Sequence, residues 1–157
     1  MKFEVKRVNV SDIAKNVANL KDVRMAVGWF DDVKYDDNTK VMDVAEWQEF
    51  GKEEFNVAYP PRPFMRPAEN KYGNTWVELV RKKVKECVEQ GKPLTDAFEY
   101  VGEFIKGNIQ EAIIDVMEPP LAESTIKARQ KRGNNSTKPL VDTGLLLASV
   151  SKKVEEI

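Results

Sequence analysis

Apolar residues recur at three- and four-residue spacing through Leu94, Ala97, Phe98, Val101, Ile105, Ile109, Ala112, Ile113 and Val116, which predicts a long core helix ended by Pro119-Pro120. A second stripe, Trp76, Leu79, Val80, Val84, Cys87 and Val88, lies opposite Arg81, Lys82, Lys85, Glu86 and Glu89. It predicts an amphipathic helix that begins between Ala68 and Trp76 and stops at Gly91 and Pro93. Val41, Val44, Ala45 and Trp47 or Gln48 share one helical face, and Gly51 is placed to end that helix in left-handed geometry. A shorter helix carries Ile13, Ala14, Val17 and Leu20 behind Ser11 as N-cap, and another spans Leu121 to Arg132. Val23, Met25 and Val27 alternate with Arg24, Ala26 and Gly28 ahead of Trp29-Phe30, a half-buried strand. Phe3, Val5, Val8 and Val10 suggest a first strand, and Val150, Lys152 and Val154 a closing one.

Strands at both ends and two long helices between them predict an α+β domain over residues 1–157, with a small, mainly antiparallel sheet packed against those helices. A closing strand paired with the first would bring the termini together. Three segments stand outside the elements: an exposed loop at 31–40, a proline-rich arm at 59–68 and a flexible linker at 133–138. In the arm, Pro60, Pro61, Pro63 and Pro67 fix φ and push the preceding residues out of helical geometry. The result is a stiff, extended piece that presents Arg62, Phe64, Met65 and Arg66 and suits docking onto a neighbour.

Composition narrows the chemistry. The 25 basic and 26 acidic residues leave a net charge of −1, without the basic surplus that drives nonspecific nucleic-acid binding. The one cysteine, Cys87, has no intramolecular disulfide partner, and the absence of histidine removes the usual zinc ligand sets. Cys87 also falls on an apolar stripe, where a thiol is inert. Ser11, Ser124 and Ser149 have no histidine to activate them, Glu46 and Glu49 are a chance carboxylate pair on a charged helix, and no glycine-rich phosphate loop is present. No enzyme activity, cofactor or metal is expected. Asp31, Asp32, Asp36, Asp37 and Asn38 invite a calcium reading, but they lack the alternating register, central glycine and terminal glutamate of a calcium loop, so a solvated loop is expected. The N-terminal residues carry charge where a signal peptide needs an apolar run, and no stretch is long and apolar enough for a membrane helix.

Of the charged groups, Arg62 and Arg66 are read as pairing with carboxylates rather than phosphates, and the cluster Lys127, Arg129, Lys131 and Arg132 as a solvated helix end. Trp29, Trp47 and Trp76 read as core. Phe64 and Met65 are either core or the anchor for a partner's pocket.

Val44-Ala45-Glu46-Trp47-Gln48-Glu49-Phe50-Gly51, then Tyr59-Pro60-Pro61-Arg62-Pro63-Phe64-Met65-Arg66-Pro67-Ala68, then Lys138-Pro139-Leu140-Val141-Asp142-Thr143-Gly144-Leu145 and Ser149 form an ordered pattern. It resembles the tailed-bacteriophage neck and tail-completion proteins, also called virion morphogenesis proteins, over roughly residues 22–155. The family pattern often has a basic residue where this chain has Leu147, and a glycine in the turn where it has Asp37-Asn38. The resemblance implies an α+β structural protein of the virion neck that resides in the host cytoplasm before assembly. It implies a homo-oligomeric ring, six-fold favoured and twelve-fold allowed, between the head connector or adaptor and the tail terminator or tail tube, with DNA passing through the lumen without sequence-specific binding. Pro61, Arg62, Pro63, Phe64, Met65, Arg66, Asp142, Thr143 and Gly144 are the candidate interface residues. The alternative is a monomeric module that uses the arm to hold a protein or nucleic-acid partner; a metal-dependent hydrolase is weaker still.

Overall fold

A computed structural model describes residues 9–54 and 57–157, with the backbone alone described at 53, 54 and 57–59. Asn9, rather than Ser11, caps the first helix, α1 (Val10–Ala18): its side-chain oxygen accepts from the Ser11 backbone N–H at 3.2 Å. A short polar side chain on extended backbone can satisfy a donor that the helix leaves open. Val10 is therefore helical and not the end of a strand; the rest of the expected first strand, Phe3, Val5 and Val8, lies outside the described residues.

Strand β1 (Val23–Gly28) follows, then helix α2 (Val41–Phe50), which ends at Gly51 with φ of 82°. The chain next forms a hairpin that the sequence pattern does not announce, β2 (Lys52–Glu54) and β3 (Val57–Tyr59), paired antiparallel. Helix α3 (Met65–Gln90) starts at Met65, earlier than its apolar stripe suggests. Pro67 is its third residue, where the missing N–H has no helical partner to lose. The extended arm is thus short, and Met65, Arg66, Pro67 and Ala68 are the first turn of a helix. Gly91, left-handed at φ of 65°, ends α3, and α4 (Leu94–Asp115) turns back along it. Helices α5 (Glu123–Lys131) and α6 (Leu145–Ala148) lead to β4 (Ser151–Glu156).

The architecture is α+β. Strand β4 pairs antiparallel with β1, Val23 opposite Glu156 and Gly28 opposite Ser151. Among the described residues there are two two-stranded sheets, where one sheet with a strand from each terminus was expected. Helix α4 lies across β1 and β4 so closely that a Cβ on Gly102 would sit 2.8 Å from Lys152 Cδ and 3.1 Å from Met25 Sδ, which explains glycine there. Helix α3 packs along α4, with Trp76 Nε1 donating to Asn108 Oδ1 at 2.9 Å.

Val41, Ala45, Phe64, Ile109, Ile113, Leu140, Leu146 and Val150 form the core, with Trp29, Val33 and Tyr35 packed against it. This core gathers at one end, where α2, the start of α3, the second half of α4 and the segment 140–150 meet. Beyond it the packing thins: of the 26 residues of α3, only Ala68 and Cys87 are buried.

Candidate functional site

Both sequence signatures converge on that core. Glu49 lies on α2 four residues after Ala45 and eight after Val41, so helical periodicity turns its carboxylate inward with them. There it caps α3 from outside: Oε2 accepts from the Phe64 and Met65 N–H groups at 2.7 and 2.9 Å, and Oε1 from the Arg66 N–H at 3.2 Å and from Arg66 Nε at 2.8 Å. Burial disfavours the ionised carboxylate, but the Arg66 guanidinium and the three backbone donors outweigh it and hold Glu49 below its usual range. A depressed carboxylate contributes stability that is complete above its unfolded-state pKa and is lost as pH falls through the folded-state value. We expect Glu49→Gln to cost about 2 kcal/mol at neutral pH, since it removes a charged acceptor from several donors at once. In urea titrations on acidification, wild type should lose more stability than the variant; equal losses would show that Glu49 carries none of the pH dependence.

Arg62 is 8% exposed and finds carbonyls rather than the expected carboxylate. Its Nε donates to the Pro119 oxygen at 2.8 Å and its Nη2 to that of Pro120 at 3.2 Å, while its backbone N–H donates to the Gln48 carbonyl. Phe64, 1% exposed, meets Trp29 edge to face at 5.4 Å, so of its two readings the structure selects core. Met65 and Pro63 are half-buried; Pro61 and Arg66 are exposed, and Arg66 also lies 5.1 Å over the exposed Phe50 ring.

In the second signature the organiser is Arg129, 4% exposed, and not the solvated helix end the basic cluster suggested. Nη1 donates to the carbonyls of Ser136, Lys138 and Val141 at 3.3, 2.8 and 3.2 Å, and Nη2 to that of Pro139 at 3.0 Å. The Asp142 carboxylate stands 3.5 Å from Arg129 Nε and 3.0 Å from Arg132 Nη2, and accepts from the Asn134 amide at 2.9 Å. Burial opposes ionisation of Asp142, and the Asn134 and Arg132 bonds overcome it, lowering its pKa. The segment 133–138, a flexible linker by composition, is tied to this guanidinium. Thr143 Oγ1 accepts from the Leu145 N–H at 3.2 Å, and Gly144, with φ of 79°, takes the N-cap position of α6.

Asp142, Thr143 and Gly144 line a pocket of about 440 Å³ together with Tyr35, Asp36 and Gln48. The loop 31–40 closes one side of it and is less free than its composition implies: Val33 and Tyr35 pack on the core, and the Tyr35 N–H bonds the Thr39 carbonyl at 2.9 Å. Two of its acids are engaged locally, Asp31 with Lys40 at 2.7 Å and Asp37 with the Thr39 N–H at 2.9 Å. Among the described residues no three His, Cys, Asp or Glu side chains are grouped to hold a metal ion, and no helix is long and apolar enough to cross a membrane.

The signatures are thus joined by the core rather than displayed as one surface. Of the candidate interface residues, Pro61, Arg66, Asp142 and Thr143 are accessible, and Arg62 and Phe64 are not. Glu49 and Arg129, which organise both segments, were not among the candidates. Glu49 had a signal, its place on the apolar stripe of α2; Arg129 had a fainter one, three residues after Ile126 on α5. Compared with protein-family models, curated proteins and solved structures, the chain finds no match.

Proposed function

We propose that this chain is a structural subunit of the head-to-tail junction of a tailed-bacteriophage virion, a neck or tail-completion protein that closes into a ring between the head connector and the tail. The observation that carries this reading is surface. A compact monomer of 17.9 kDa exposes about 8,000 Å², yet this chain exposes 11,004 Å². Granting the ten residues outside the description the full area of unfolded chain still leaves an excess of about 1,500 Å². A ring subunit meets two neighbours at about 800 Å² each, so an excess of that size matches a chain that completes its burial by assembly. Val10, Val17, Phe50, Val77 and Met117 are each about half exposed or more, in keeping with the same idea.

The resemblance of the two signatures to the neck family supplies the place of assembly. The alternative, a monomer gripping its partner with the arm, is weakened because Phe64 and Arg62 are buried in their own chain. In dilute solution we expect light scattering to give the mass of one chain, with the ring forming against its neighbours in the particle, because each contact must first repay the translational and rotational freedom lost on association. Particles of the encoding phage should contain the protein as a ring at the neck when imaged, and phage lacking it should accumulate unjoined heads and tails. Joined, infectious particles without the protein would end this reading.

A further inference from the structure

Helix α4 carries two glycines, on different faces. Gly102 makes room for the sheet of its own chain, whereas a Cβ on Gly107 would meet nothing within 4 Å among the described residues. Glycine destabilises a helix interior by about 1 kcal/mol relative to alanine. Gly107 belongs to an exposed stripe with Tyr100, Phe104 and Glu111, whose alternating four- and three-residue spacing brings them onto one face over ~16 Å of helix. Tyr100 is 55% exposed and Phe104 40%. Helix α3 borders the stripe along its length: Lys83 Nζ lies 4.3 Å over the Tyr100 ring, and Lys71 Nζ is 3.4 Å from Glu111 Oε1.

This stripe is complementary to itself. We propose that two copies pair about a twofold axis through the exposed face of α4, the helices antiparallel and Phe104 of each seated on the bare backbone at Gly107 of the other. The same register sets the Tyr100 hydroxyl of each copy against the Glu111 carboxylate of the other, a donor against an acceptor at both ends. Parallel helices would instead stack Phe104 on Phe104, leave Gly107 unused and bring the two Glu111 carboxylates face to face, so charge and shape select the antiparallel pair. One helix face buries less than the ~800 Å² per partner of a standard interface, so the pair forms at high concentration and dilute solution keeps single chains. A twofold contact closes on itself; it goes beyond the ring reading, does not depend on it, and leaves the other faces to ring neighbours.

Sedimentation equilibrium on the full chain tests it. Towards millimolar concentration the average mass should rise from one chain and level at two. Gly107→Leu should raise the melting temperature, since leucine is the better helix former, and yet weaken pairing about thirtyfold, the loss of one interface hot spot. Phe104→Gly should weaken it as much. Exchanging the two, Phe104→Gly with Gly107→Phe, again faces a ring with a bare backbone in the same register and should return the affinity to within about threefold of wild type. A purely structural role for either residue predicts no such recovery. Single-chain mass at every concentration overturns the proposal, as does pairing that Gly107→Leu leaves intact, or a folded exchange variant that stays single. With Cys87→Ser, an intrachain disulfide between Phe104→Cys and Val5→Cys would make the chain's own N-terminal segment the cover of the stripe and also overturn it. A mass that climbs past two and ignores both single substitutions puts association on another face, which sinks the α4 pair and leaves the ring. Pairing that the exchange restores, in a protein absent from particles, supports the pair and sinks the ring.

Discussion

Phe64→Ala should lower stability by about 3–5 kcal/mol, the cost of emptying a buried aromatic site. At 1% exposure the ring fills the centre of the core and contacts the edge of Trp29, so truncation removes both the burial and the aromatic pair. The cavity would open beside Ile109 and Ile113 of α4 and Leu140 of the segment before α6, close-packed neighbours that cannot all shift to fill it. Thermal melts should show a drop of about 6–20 °C for a chain of this size. Any failure of the variant to enter particles should follow from that instability, and a stabilising second substitution elsewhere should restore entry. A variant that melts with wild type and still fails to assemble would return Phe64 to the role of an exposed anchor.

A comparable loss is expected at Arg129. Replacement by methionine keeps length and apolar volume and deletes the donors, leaving the carbonyls of Ser136, Lys138, Pro139 and Val141 without their partner. Removing one side of a buried charged network costs about 3–5 kcal/mol. Arg129→Lys should recover only part of it, since an ammonium is a point donor and cannot span carbonyls on both sides of a planar guanidinium. Asp142→Asn should cost much less, because its carboxylate is partly exposed and asparagine keeps an acceptor for Asn134 and Arg132. Urea unfolding of the three variants gives the order directly. If Arg129→Met proves as mild as Asp142→Asn, the guanidinium is not what holds the second signature together.

Much of this fold can be read from the chain because its elements obey local rules. The stripes of α3 and α4, the stop at Gly91-Pro93 and the alternation of β1 depend on residues within a few positions of each other. What escapes the reading is set at a distance. The start of α3 at Met65 depends on Glu49, which supplies the cap that Phe64 lacks, and no pattern around residue 65 reveals a carboxylate on the preceding helix. The hairpin's short strands carry charge at Lys52, Glu53 and Glu54 and show too little alternation to register. Arg129 sits among Lys127, Lys131 and Arg132, and only the approach of the 136–141 backbone distinguishes the buried cation from the solvated ones. The proline arm misled for a related reason: proline stiffness says that the chain is extended, not which way its side chains turn, and here Arg62 and Phe64 turn inward.

The pairing of β1 with β4 also sets an order of events. Helices α3 and α4 are neighbours in sequence and can zip together as soon as both exist, a cheap closure across the Gly91-Pro93 turn. The sheet joins Gly28 to Ser151, so nearly the whole chain must be synthesised before β1 finds its partner. Until β4 is made, the sheet on which α4 packs has only one of its two strands, although the α3–α4 contact can already be in place. In a ring of the kind proposed, a subunit without β4 would meet its neighbours with only one strand of its β1–β4 sheet in place.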